Sequence, residues 1–186
     1  MSCFESSTFL KNPQVMNQEI LKKACEKLGW KFEIKTEQNK QVLYVYDANQ
    51  KANLKGEFAL KVINNVVTYN SYYMKNGQEL IKELESQFYG LNVVYAKETI
   101  LREFQAVGFK LLPDLKFVAT ETEKEKFKMV ASTRNTNESE KRTEIEFVIK
   151  FDGTIVTDSN YIPEDIHQLA DKAMEAIDNS FGTKRK

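Results

Sequence analysis

The chain is poor in the side chains that most active sites are built from. It carries one histidine, two cysteines and three prolines in 186 residues. A lone His167 leaves at most one imidazole for a zinc site and one possible centre for a histidine-based triad. It lies between Ile166 and Gln168 on a helix whose apolar stripe points elsewhere, so a surface position is expected. Cys3 and Cys25 form neither a disulfide framework nor a zinc spacing. Cys25 falls beside an apolar helix face and is expected to be a buried structural thiol. The seven glycines are scattered and make no G-x-G-x-x-G or G-x-x-x-x-G-K phosphate loop. Lys plus Arg and Asp plus Glu stand at 27 each, so formal net charge is zero and a whole-molecule field for a polyanion is not expected. No apolar run approaches a membrane span, and the opening MSCFESSTFL lacks a basic segment followed by an apolar one. A soluble, cytoplasmic chain is the expectation.

Carboxylates are plentiful, but they sit where structure uses them. Glu164-Asp165 opens a helix, where negative charge offsets the macrodipole. Glu121, Glu123 and Glu125 alternate with lysines along ETEKEKFK, and Glu83 and Glu85 lie on a helix surface. No catalytic residue, cofactor site or metal ligand is assigned, and an enzyme is not expected.

What the chain has is aromatic strand sequence, with 12 Phe and 8 Tyr. Ile145, Phe147, Ile149 and Phe151 alternate with Glu146, Val148 and Lys150, the period of a half-buried strand. Asp152-Gly153 predicts a two-residue hairpin turn, and Ile155 to Thr157 the return strand. Pro163 suits the first position of a helix carrying Ile166, Leu169, Ala170, Ala173 and Ile177 on one stripe, with Gly182 to end it. The first half echoes this unit without a gap. Phe58 to Lys61 matches Phe147 to Lys150, Val67-Thr68 matches Val156-Thr157, and Leu80 matches Leu169. The preceding helices end alike, at Leu28-Gly29-Trp30 and Val107-Gly108-Phe109.

In order, Cys3 to Leu10 reads as a short strand, and Asn12-Pro13 as the cap and first turn of a helix reaching Leu28. Trp30 to Lys35 and Val42 to Tyr46 are strands, separated by a polar turn at Glu37 to Lys40. VLYVY is apolar on both faces, which places it centrally or against a partner. A helix from Leu80 is expected to break at Gly90-Leu91-Asn92 and resume from Tyr95 to Val107. Pro113-Asp114 marks an edge or a bulge. Arg134 to Lys141 reads as a linker or a long hairpin loop, and Thr183 to Lys186 as a loose basic tail. Two similar helix–four strands–helix halves result, residues 1–112 and 113–186, as two units or one compact domain. The class is α+β, an antiparallel sheet with helices packed on one face. If the halves are duplicates, their sheets can join into one curved, pseudo-twofold sheet of the TATA-box-binding-like kind.

The opening MSCF, the Leu28-Gly29-Trp30 helix end and the stretch LIKELESQFYGLNVVYAKETILREFQAVGF from Leu80 to Phe109 resemble a small conserved reading frame of algal plastids and cyanobacteria, ycf thirty-five. That resemblance covers about residues 1–112. From Glu144 onward the Phe-Asp-Gly-Thr hairpin and single helix are similar to a second small uncharacterised family that often accompanies the first. Together they imply a fusion joined near Arg134 to Lys141, and a plastid stroma location if the chain is plastid-encoded. They also imply a regulatory or adaptor role in association with an AAA-type ATPase, and they bring no catalytic residues.

The residues themselves point to one surface. Tyr44, Tyr46, Tyr69 and Tyr72 fall on neighbouring strands, and some face away from Leu43 and Val45. An exposed set of tyrosines suits a protein, peptide or stacked-base partner, whereas half-buried ones only pair across strands. Lys55, Lys61 and Lys75 favour an acidic partner, and Asp47 and Glu57 dilute them. A protein-binding module is the leading expectation. A saddle-type nucleic-acid binder and a small-ligand carrier are the alternatives.

Overall fold

Among the described residues, two five-stranded sheets, one in each half of the chain, carry three α-helices. The computed structural model describes residues 4–47, 58–71, 74, 76–133, 141–159, 164–178 and 183–185. In order the elements are β1 (Phe4–Thr8), α1 (Gln18–Leu28), β2 (Lys31–Glu37), β3 (Lys40–Asp47), β4 (Leu60–Ile63), β5 (Val66–Asn70) and α2 (Gly77–Ala106). They continue as β6 (Lys110–Pro113), β7 (Glu123–Thr133), β8 (Lys141–Lys150), β9 (Ile155–Ser159), α3 (Glu164–Asp178) and β10 (Thr183–Arg185). The α+β class expected from the sequence is observed. By internal contacts the chain divides into Met1–Leu91 and Asn92–Lys186. That boundary falls within α2, earlier than the division after Leu112 read from the sequence.

The strand orders are β1-β5-β4-β3-β2 and β10-β9-β8-β7-β6. Each unit is therefore a four-strand meander with a fifth strand added beside its last member. In the first unit β1 arrives before the leading helix and pairs antiparallel to β5. In the second, β10 follows the trailing helix and pairs parallel to β9, because a strand–helix–strand crossover returns the chain in the same direction. The basic tail is thus not loose, since Thr183–Arg185 belongs to the sheet. The described strands pair within two separate sheets, so the single curved sheet of the saddle analogy does not form among them.

The two rhyming helix ends use the same stop. Gly29 and Gly108 adopt φ of 73° and 95°, the left-handed cap that glycine takes without penalty. Trp30 N–H then reaches back to the Cys25 carbonyl at 3.0 Å, and Phe109 N–H to that of Phe104 at 2.9 Å. The first helix starts later than expected. Asn12 caps only a 3-10 turn at Pro13–Val15, and Asn17 caps α1 by accepting from the Glu19 and Ile20 N–H groups.

α2 does not break at Gly90-Leu91-Asn92 but runs unbroken from Gly77 to Ala106. A glycine inside a helix costs roughly 1 kcal/mol relative to alanine, and buried side chains on both sides of it outweigh that. Leu80, Leu84 and Phe88 precede it, and Ala96, Ile100 and Phe104 follow, all buried. Asn92 is buried as well, and its amide donates to the Asp152 carbonyl at 3.0 Å. A residue with a breaker's reputation instead holds the β8–β9 turn.

That turn also differs from expectation. Only Gly153, not Asp152, has positive φ, at 93°. Gly153 N–H donates to the Lys150 carbonyl at 2.9 Å, and Lys150 N–H to the Thr154 carbonyl at 2.8 Å. This is a three-residue loop closed by a glycine bulge, not a two-residue turn. The β4–β5 turn does have two residues, with Ile63 opposite Val66 and Asn64 at φ 53°. Gln38 and Asn39, at φ 50° and 62°, make the β2–β3 turn.

Unequal loops spoil the ungapped register between the halves. Val67 is buried, whereas Val156, its sequence match, is only half-buried, and the buried residue is its neighbour Ile155. A one-residue slip moves every side chain to the other face. The repeat is therefore one of topology, with Val62 and Val67 corresponding to the pair Ile149 and Ile155. Residues 134–140, expected as a linker or a long hairpin loop, lie outside the described residues, and the strands that flank them pair, with Thr133 opposite Lys141.

The second unit's core gathers Phe127, Met129, Ile145, Phe147 and Ile149 from one sheet face, Ile100 and Phe104 from α2, and Ala173 and Ile177 from α3. A methyl group on Gly153 would overlap the Asn92 amide. Gly153→Ala is expected to cost about 2–4 kcal/mol, from its positive φ and the overlap together. Asn92→Ala should cost about 1–3 kcal/mol through the lost buried bond. Because Asn92→Ala removes the overlap, the double variant should lose less than the sum. Urea unfolding of all four proteins checks this, and strict additivity would refute the contact.

Candidate functional site

The site is the outer face of the first sheet. On its inner face Leu43, Val45, Val62 and Val67 are buried with α1 and α2 residues such as Leu21, Ala24 and Leu84. Strand alternation sends the intervening residues outward, and the register aligns one of them from every strand. Glu33, Tyr44, Lys61, Thr68 and Ser6 form a continuous row across β2, β3, β4, β5 and β1. Ser6 and Thr68 share a hydrogen bond of 2.9 Å between their hydroxyls.

Aromatic rings run along this face. Phe4 and Phe58 lie 6.0 Å apart, Phe58 and Tyr44 5.6 Å, and Tyr44 and Tyr46 6.2 Å with nearly parallel planes. Phe4 is 56% exposed, and the other three are half-buried. Two ammonium groups flank the Tyr44 ring, Lys35 Nζ at 5.5 Å and Lys61 Nζ at 5.4 Å from its centroid. Lys61 Nζ also stands 5.9 Å from Phe58. The arrangement is a ring ladder with cations over its faces.

Carboxylates fix the phenols. Tyr44 donates to Glu37 Oε1 at 2.7 Å, and Tyr46 to Glu33 Oε2 at 3.2 Å. The bond to Glu37, then burial and that carboxylate's charge, push the Tyr44 phenol up to about 12. Lys35 is also raised, chiefly by the Glu33 carboxylate 3.7 Å away and next by Tyr46. Lys61 has no carboxylate partner among the described residues. It is the uncommitted charge of the row.

Of the four tyrosines expected at the site, Tyr44 and Tyr46 are brought together. Tyr69 is not with them. It is 4% exposed on the inner face, where its hydroxyl donates to Glu5 at 2.7 Å and accepts from Gln78 at 3.3 Å. Its ring lies against Gly77, where a Cβ would overlap it. Tyr69 and Tyr44 have opposite faces because Thr68, not Tyr69, is level with Tyr44 in the register. Tyr72 lies outside the described residues, as do Lys55 and Lys75. Phe4 and Phe58 complete the ladder and were not anticipated. Phe4 could have been found from its place in a predicted strand, but Phe58 precedes β4 and only the pairing brings it over Tyr44. Cys25 is fully buried, and burial pushes its thiol up to about 12, so it is not a thiolate near neutrality.

The Tyr44–Glu37 bond has a testable titration. The folded phenol lies above its ordinary value of 10.0, so the bond's stabilisation is complete below that pH and is lost as pH rises through about 12. The tyrosinate absorbance of the protein, minus that of Tyr44→Phe, should therefore rise with a midpoint near 12, and Glu37→Ala should bring it back toward 10. An ordinary midpoint in the unaltered protein would refute the bond. Comparison of the chain with family models, with curated proteins and with solved structures finds no match in any of the three.

Proposed function

We propose that this chain is a non-enzymatic protein-binding module of the adaptor or regulatory kind, holding its partner on the outer face of the first sheet. One observation carries the reading, the solvent-facing ladder Phe4–Phe58–Tyr44–Tyr46 with Lys61 uncommitted beside it. Rings held in place by neighbouring rings and by carboxylate bonds lose little freedom when a partner covers them, which is what makes tyrosine effective at interfaces. The resemblance to ycf thirty-five supplies the partner class, an AAA-type ATPase.

A second reading has its own support. Flat rings flanked by ammonium groups also suit a single nucleic-acid strand, with bases on the tyrosines and phosphates on Lys35 and Lys61. Zero formal net charge weighs against it, because nucleic-acid affinity rests largely on phosphate neutralisation.

An affinity pull-down of the tagged protein from its native lysate, with and without nuclease, separates the two. A protein partner that survives nuclease and is lost from both Tyr44→Ala and Lys61→Glu is the expected result. Recovery that vanishes with nuclease would move nucleic acid to first place. Retention by both variants, shown to be folded by thermal unfolding, would place the interface elsewhere.

A further inference from the structure

The edge of the first sheet at β2 is complementary to itself. Among the described strands β2 pairs with β3 alone, and a strand so placed turns a row of N–H and C=O groups away from its neighbour. Pro113 blunts the corresponding edge of the second sheet at β6, whereas β2 holds no proline. Its outer positions read Lys31, Glu33, Lys35 and Glu37, all exposed. On its inner face Phe32 and Ile34 are only half-buried, where Val45 and Leu43 beside them are fully buried. Another strand on this edge would complete their cover.

Residues directly opposite in an antiparallel pair share a face of the sheet, so two copies of β2 can meet only in registers two residues apart. Centred on Ile34, the pairing sets Glu33 opposite the partner's Lys35, Lys35 opposite the partner's Glu33, and Lys31 and Glu37 likewise at the ends. Centred on Glu33 it sets Glu33 against itself and Lys31 against Lys35. Centred on Lys35 it sets Lys35 against itself and Glu33 against Glu37. An in-register parallel pair opposes every charge to its own kind. Charges on an edge strand ordinarily discourage pairing, but these discourage the neighbouring registers and favour one. Lys31 stands at a bulge, level with Asp47, so the two central pairs set the register and the outer ones add to it.

The contacts these groups already make are kept. Glu33 Oε2 takes both Lys35 Nζ at 3.7 Å and the Tyr46 hydroxyl at 3.2 Å, and Glu37 Oε1 takes the Tyr44 hydroxyl at 2.7 Å. A carboxylate accepts on its second oxygen as well. The axis therefore closes a ring of four alternating charges, Glu33 and Lys35 from each copy, without breaking a bond within either.

We propose that a second copy of this chain docks on β2, antiparallel about Ile34, joining two first sheets into one of ten strands. The contact uses the edge of the sheet and not its aromatic face, and it does not depend on the function assigned to that face.

Sedimentation velocity of the full chain over a range of concentrations tests this. The unaltered chain should form a dimer. Glu33→Lys and Lys35→Glu each set like charges opposite one another twice, and each should weaken the dimer about tenfold. In an equimolar mixture of the two variants every cross-strand pair is again of opposite sign, so a heterodimer of the original strength is expected. The double exchange, Glu33→Lys with Lys35→Glu, should likewise restore the homodimer. Thermal unfolding checks that each variant is folded, and if a single variant is not, the double exchange decides. A monomer in the unaltered chain, an undiminished dimer in both single variants, or no recovery on mixing and in the double exchange would overturn the proposal.

Discussion

A β-strand sends successive side chains to opposite faces, and this chain puts that constraint to two uses. The inner face of each sheet is apolar and buried beside helices. The outer face is where the two sheets part company. In the first sheet it carries rings, tyrosine–carboxylate bonds and lysines. In the second it carries rows of charge, as where Lys128 and Glu146 lie level with Asp158. The four-strand meander repeats between the units while surface chemistry does not, because inner positions answer to packing and outer positions answer only to solvent or a partner.

Much of the fold was legible because its signals are local. Glycine after the last apolar residue marked both helix ends, and alternation marked β8. The failures came where a distant contact outweighed a local preference. Asn92 reads as a helix breaker, yet a buried carbonyl at Asp152 engages its amide, and packing on either side carries the helix through Gly90. Asp152-Gly153 reads as a two-residue turn, yet pairing closes one residue further out. β10 was hidden for another reason. Three residues of basic tail carry no alternation, and only the crossover through α3 brings them beside β9.

The candidate site was half legible for the same reason. Tyr44 and Tyr46 share one strand, so period two alone puts them on one face. Tyr69 sits on another strand, and which of its faces meets Tyr44 depends on register. The two-residue turn at Asn64-Asn65 sets that register and sends Thr68 outward and Tyr69 inward. Asn65 reinforces it, since its amide both accepts from and donates to the backbone of Leu10, just past β1. One turn therefore decides both the composition of the aromatic face and the seating of the edge strand beside it.

Zero net charge is compatible with electrostatic recognition, because recognition depends on which charges are already spent. Lys35, Lys97 and Lys128 each have a carboxylate within 4 Å, at Glu33, Glu125 and Glu144. Exposed pairs of this kind are worth little in stability, but they remove those charges from the field a partner meets. Among the described residues Lys61 has no carboxylate within that distance, and it stands over the rings of Tyr44 and Phe58. Beside rings rather than open water, the attraction of that ammonium for an opposite charge is screened less. The sum of charges is silent on this, because it counts paired and unpaired groups alike.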